Sequence, residues 1–247
     1  MNRLLLWTAH QGDAQPPPQT FSAAKIVEYW AEDLAVTSAL ASWADRSGNG
    51  RHLVQAVEAD KPSVDITSHA GGRKRVTFTA ADTEFLQTAS FGGVQAQPLT
   101  VFAVIDRDTH PADGAVYKVW DGIDATNRCY FDYQNTVPDA WRLGATTAQS
   151  HASIEVAATA KLAAVITYNG ASSKSNIDGT EITVAATTGT AGIDGITMGT
   201  IWSEGSQFFN GGVYYFCAIA AAATAADKTA FFNWAYGCYG SNYGART

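Results

Sequence analysis

Residues 40–62 read LASWADRSGNGRHLVQAVEADKP. Trp43 sits in a short apolar run, and each residue of the following DRSGNG (45–50) suits a tight turn. The Asp45 carboxylate can accept backbone N–H bonds two residues on, while Gly48, Asn49 and Gly50 tolerate positive φ. Residues 52–55 then resume as a short strand. A large aromatic, a compact turn and a returning strand describe one corner of a β-sandwich.

Working outward, residues 26–30 (IVEYW) predict the first strand, with Glu32 and Asp33 as its polar exit. Two short strands fall between Lys74 and Gln87, with Val76 and Phe78 inward and Thr77 and Thr79 outward. Residues 99–106 (LTVFAVID) are nearly all apolar, which predicts a central strand covered on both faces. Residues 115–120 and 128–134 flank a turn at 121–124. In the second of these strands Cys129, Phe131 and Tyr133 share one face and Tyr130, Asp132 and Gln134 the other. Residues 141–143, 161–168 and 193–199 supply further strands, with hairpin signals at Asn169-Gly170 and Asp178-Gly179. Residues 213–220 alternate two apolar sets and predict another central strand. Thr224 to Asp227 fits a capping box opening a helix over 225–236, with Gly237 as its stop. Phe231, Trp234 and Ala235 share the helix face expected to anchor on the sandwich. The outline is all-β: a two-sheet antiparallel jelly-roll β-sandwich over 25–240 with one short C-terminal helix. Residues 1–24 form an N-terminal arm with a Pro-rich spacer, and 241–247 a loose tail.

The pattern W-x-D-x-S-G-N-G, here Trp43, Asp45, Ser47, Gly48, Asn49 and Gly50, is followed by Gln55 and Pro62. Together with the closing FFNGGV (208–213), a strand and a helix, it resembles concanavalin A-like, laminin-G-like domains of the bacterial and phage type. The resemblance spans residues 26–239 and rests on turn and core residues, so it implies fold far more than function. It implies that the first and last strands lie side by side. It also raises a rim calcium ion, for which Asp121 and Asp124, or Asp106 and Asp108, offer hard oxygens. Hydrated or turn-stabilising aspartates are the commoner case, no complete ligand set is present, and no metal or cofactor is assigned.

A chain of 247 residues with 46 % hydrophobic residues has ample material for a large core. Its net charge of −7 argues against nucleic acid or an anionic membrane as the main partner. Arg73-Lys74-Arg75 reads as a solvated strand edge. The three cysteines, Cys129, Cys217 and Cys238, lack CxxC spacing. Cys129 and Cys217 suit small buried hydrophobes, and a Cys217–Cys238 bridge is conceivable. Only residues 4–7 form an apolar block near the start, too short for a signal-peptide core, and no stretch approaches a membrane span.

Glycoside hydrolysis needs two carboxylates about 5–10 Å apart across the scissile bond. Glu28, Glu32, Glu58, Glu84, Glu155, Glu181 and Glu204 form no such run. Glu28 and Glu32 come nearest and read as a solvated edge. There is no G-x-S-x-G or phosphate-binding glycine pattern, and His10, His52, His69, His110 and His151 are scattered through loops and turns. Catalysis is therefore not expected. Trp120, Tyr133, Trp141 and Trp202 lie at strand ends or beside loops and are the candidate glycan platforms, against a reading in which they serve packing. Trp30, Trp43 and Trp234 read as core.

Two functions follow as expectations. The first is a non-catalytic virion component (head decoration, fibre or tail protein) on a phage or other extracellular surface. Its arm residues Leu4, Leu5, Leu6 and Trp7 would either fold back on their own domain or, as the stiff Pro spacer favours, dock on neighbouring assembly proteins or on further copies of the chain. The second is a carbohydrate-binding adhesin module, with a glycoside hydrolase third.

Overall fold

The computed structural model describes residues 16–66, 72–112, 114–135, 140–146, 148–152, 161–183 and 188–239. In chain order the first strands are β1 (Lys25–Trp30), β2 (Ser42–Trp43), β3 (Leu53–Val54), β4 (Ser63–Ile66) and β5 (Lys74–Phe78). Next come β6 (Leu86–Gln87), β7 (Leu99–Arg107), β8 (Val116–Asp121), β9 (Cys129–Gln134), β10 (Ala140–Ala145) and β11 (Ala148–Ala152). Then follow β12 (Leu162–Tyr168), β13 (Lys174–Ile177), β14 (Thr180–Thr183), β15 (Thr197–Met198), β16 (Gly211–Ile219) and helix α1 (Ala225–Tyr239).

These strands form two antiparallel sheets. The first has the order β14-β13-β12-β7-β16-β5-β4, with β1 also on β16; the second runs β11-β10-β9-β8-β15-β6-β3-β2. β16 is long enough to serve two partners on one side. Its first residues pair with β5 and its later ones with β1, from Tyr215↔Trp30 to Ile219↔Lys25. The N-terminal strand therefore closes against the last one, as the resemblance implied. β7 and β16 are buried along their whole length. Val101, Ala103, Ile105, Phe216 and Ala218 face the core between the sheets. Phe102, Val104, Tyr215, Cys217 and Ile219 face α1 instead. This double cover is why both sequences read as continuous apolar runs.

Helix α1 begins with the expected capping box: Asp227 N–H donates to Thr224 Oγ1 (3.1 Å), and Thr224 N–H donates to Asp227 Oδ2 (2.8 Å). It does not stop at Gly237 but runs to Tyr239. Cys238 and Tyr239 bury there, and Trp30 Nε1–H donates to the Tyr239 hydroxyl at 3.2 Å. Such burial outweighs the roughly 1 kcal/mol that a helical glycine costs. The segment before β1 also rests on this layer. Phe21 stacks on Phe102 at 4.3 Å, and Ser22 donates to Asp227 through its N–H (2.8 Å) and its hydroxyl (2.5 Å).

Several expectations need correction. β4 and β11 carry no strong local signal and were not expected, and the strand over 193–199 shrinks to Thr197–Met198, with Ile193 only bridging Gln95. Asn169-Gly170 opens a short 3-10 turn rather than a two-residue hairpin, whereas Asp178-Gly179 is a tight turn with φ of 50° and 83°. Arg75 is not a solvated edge. It is buried and paired with Asp106 (2.8 Å), Asp108 (2.6 Å) and Asp65 (3.3 Å). Gly212 permits this, because a Cβ there would lie 2.2 Å from Arg75 Cδ. Glu28 is buried as well, accepting from Lys25 Nζ (2.8 Å) and the Tyr215 hydroxyl (2.9 Å). The three cysteines are all free and buried, so Cys217 and Cys238 do not pair.

Candidate binding surface

The Asp45–Gly50 turn sets one wall of an open surface. Asp45 Oδ1 accepts from the N–H groups of Ser47 (2.8 Å) and Glu28 (3.0 Å), and Oδ2 accepts from Arg51 N–H (3.0 Å). Gly50, at φ 69°, takes the left-handed conformation that turns the chain back into β3. Asn49 Nδ2 donates to the Lys25 and Ile26 carbonyls (2.9 and 3.0 Å), tying the loop to β1. Arg51 lays its guanidinium over the Phe91 ring, 4.1 Å from the centroid. His52 Nδ1 accepts from Asp45 N–H at 3.0 Å, which leaves Nε2–H as its free donor.

Strand alternation then sorts the second sheet into two kinds of row. Leu86, Met198, Trp120, Phe131 and Leu143 are cross-strand neighbours and all point into the core. The adjacent row, Ser42, Val54, Gln87, Thr197 and Asp121, points outward. Val54 is 50 % exposed, and Gln87 Nε2–H donates to Thr197 Oγ1 at 2.8 Å, leaving its carbonyl oxygen as an acceptor. Along this outward face run two depressions, of about 440 and 330 Å3, that share Val54 and Ala89 and so form one groove. Arg51, His52, Ser90 and Phe91 line one end, and Phe85, Gln87 and Glu204 the other.

Further across the same face, β8, β9 and β10 carry a buried ion ladder. Asp132 accepts from Lys118 Nζ (2.5 Å) and from Arg142 Nε (2.6 Å), and Arg142 also donates to Gln134. Asp121 is clamped by both arms of Arg128. Burial raises the Asp121 pKa, against the pull of Lys118 and Arg128. Lys118 and Arg128 also sit over the Tyr130 ring, at 3.8 and 4.8 Å. The carboxylates deep in this face are thus fully engaged by cations.

Three of the four expected platforms are corrected by the register. Trp120 lies in the inward row, stacks on Phe131 at 4.8 Å and donates to the Tyr168 hydroxyl. Trp141 covers the other side of Phe131 at 4.9 Å. Tyr133 is capped by the Arg107 guanidinium at 3.6 Å. All three are buried, with no ring face left for a sugar. Trp202 alone is half-exposed; its backbone N–H donates to Asp121 Oδ2 at 3.4 Å, in the loop that also carries Glu204. The groove residues Arg51, His52, Val54, Gln87 and Phe91 were missed. The one signal for them was positional: a Leu53-in, Val54-out pair directly after the turn. Leu4, Leu5, Leu6 and Trp7 lie outside the described residues.

The calcium candidates are occupied differently. Asp106 accepts from Arg75, Gly212 N–H and the Tyr214 hydroxyl, and Asp108 pairs with Arg75. Asp124 caps its own turn through Thr126 N–H (2.7 Å) and Asn127 N–H (2.6 Å). Among the described residues, no three His, Cys, Asp or Glu side chains gather as a metal site, and no helix is long and apolar enough to cross a membrane.

No protein-family model and no curated protein matches the sequence. Solved structures do match in fold. The binding domain of botulinum neurotoxin DC in complex with rat synaptotagmin II aligns at TM-score 0.60 and 11 % identity, over 87 % of this chain and 52 % of that one. A structure described by the dependence of botulinum neurotoxin type C cell entry on two ganglioside molecules aligns at 0.61 and 10 %, over 85 % and 51 %. Trypanosoma rangeli sialidase aligns at 0.56 and 12 %, over 89 % and 34 %. The chain thus spans about half or less of the length of these structures. At such identities the likeness establishes the fold alone: an all-β, two-sheet antiparallel sandwich.

Proposed function

We propose that this sandwich is a non-catalytic carbohydrate-recognition module of laminin-G-like type, taking its ligand along the outer face of the second sheet. The observation that carries the reading is the groove from Arg51 and His52 to Gln87 and Glu204. It combines an exposed apolar floor at Val54 with separate donors and acceptors, the mixture that orients a sugar ring. The neighbouring carboxylates Asp121 and Asp132 are locked by Arg128, Lys118 and Arg142, which leaves no free acid/base pair there among the described residues. The similar folds in a ganglioside-dependent toxin and a sialidase are in keeping with this reading. Such a module works on an extracellular or particle surface.

A glycan array followed by titration of the retained glycan tests it. His52→Ala and Gln87→Ala should each weaken affinity about five-fold, ~1 kcal/mol for one hydrogen bond. Chelation of divalent ions should leave binding unchanged. Absence of retention on every glycan would overturn the reading. If deletion of residues 1–15 then abolished incorporation into a particle, virion assembly would replace it.

A further inference from the structure

On the opposite side of the molecule, the β13–β14 hairpin and α1 enclose a groove of about 420 Å3, within the usual range for small-molecule sites. Asn176 lies on its hairpin side. The cross-strand partner of Asn176 is Val165, whose side chain belongs to the layer beneath α1, so the amide points to the helix side of the sheet. Asn176 is 8 % exposed, and its Oδ1 has no hydrogen-bond partner. A buried amide oxygen left unpaired is costly, so it gains from any water or ligand hydroxyl that reaches it.

Its surroundings complete a polar ring around an aromatic wall. Glu181, directly across the hairpin from Asn176, accepts from Lys174 Nζ (2.5 Å) and Lys228 Nζ (2.6 Å). Those two ammonium groups hold its carboxyl below the usual range, so it stays a charged acceptor. Phe232 and Tyr236 stack at 5.9 Å on the helix side, and Asn233 adds an exposed amide. The hairpin turn lies against Tyr236: a Cβ on Gly179 would be in ordinary contact with its hydroxyl at 3.4 Å, and the glycine itself is required by its φ of 83°.

We propose that this groove is a second saccharide site that takes one pyranose unit. Paired hydroxyl groups would meet the Asn176 amide and the Glu181–Lys228 pair, and the C–H face would lie on the aromatic wall. The site is independent of the groove on the second sheet, and each can fail without the other.

The test is a titration of the full 15N-labelled chain with the methyl glycosides of galactose, glucose and glucuronic acid. The glucuronide separates recognition of hydroxyls from attraction of an anion to the two lysines. The expected result is a saturable shift of the Asn176 and Asn233 side-chain amides. Asn233→Ala, at an exposed position, should weaken that binding at least five-fold while leaving the melting temperature unchanged. Tyr236→Ala, which also removes a ring packed against the layer under α1, should weaken it at least five-fold with a lower melting temperature. Signals from Val54 and Gln87 report the other groove separately. Asn176 and Asn233 amides that stay still with all three glycosides would overturn the proposal. So would a shift of equal affinity in both variants.

Discussion

Asp45 joins the turn that follows Trp43 to the first strand. Its two oxygens accept from three backbone N–H groups and from the Ser47 hydroxyl at 2.8 Å. Hydrogen bonds to a charged group contribute about 1.5–3 kcal/mol each, and bonds sharing one carboxylate overlap in effect. Asp45→Ala should therefore lower the free energy of unfolding by about 3 kcal/mol in urea. An unchanged midpoint would contradict the role given to this side chain. Asp132 presents a harder case, fully buried between Lys118 and Arg142. Removing it strands two cations in the sheet, so Asp132→Ala should cost about 3–5 kcal/mol. Replacing all three with apolar residues of similar volume should cost much less, and a triple-mutant cycle would measure the difference.

Helix α1 shows how local and distant bonds converge on one element. The Asp227 carboxylate accepts from Thr224 N–H and Oγ1–H within the helix start, and from Ser22 N–H and Oγ–H across the domain. Burial alone would raise its pKa, but the bonds from Ser22 and Thr224 outweigh it and hold the carboxyl below its ordinary value. The folded state therefore favours the charged form. The stabilisation is fully present above the unfolded pKa of about 3.9 and is lost as pH falls towards the depressed folded value. Thermal melts over roughly pH 2 to 7 should show Asp227→Asn less stable than the parent at neutral pH, with the two curves converging in acid. A constant gap across that range would remove Asp227 from the account. The capping box was legible because it is a four-residue pattern. The helix end was not, since it depends on where Tyr239 lands against Trp30 and Tyr214.

At the scale of the molecule, β1 is sewn into the first sheet beside β16, and its residues reach both layers. Ile26, Val27 and Tyr29 pack into the core between the sheets, while Trp30 packs under α1. Deleting residues 1–30 should therefore unfold the whole sandwich. Loss of the native near-ultraviolet spectrum would show this, whereas a folded remainder would refute it. The ligand surfaces belong to this scale too. The groove on the second sheet takes Arg51 and His52 from one corner, Gln87 from β6 and Glu204 from the loop before β16.

Short-range chemistry was written in the chain itself. The Asp45–Gly50 turn, the two doubly covered strands, the Asp178-Gly179 hairpin and the start of α1 each follow from a handful of adjacent residues. Local φ preferences, alternation and capping act over that distance. Tertiary structure alone decided which strand joined which sheet. It turned Trp120, Tyr133 and Trp141 inward, and it buried Glu28 and Arg75 against partners far along the chain. A side chain of either character can sit on either face of a strand. Its direction is set by register with neighbours brought in from elsewhere, and one-dimensional spacing carries no record of that register.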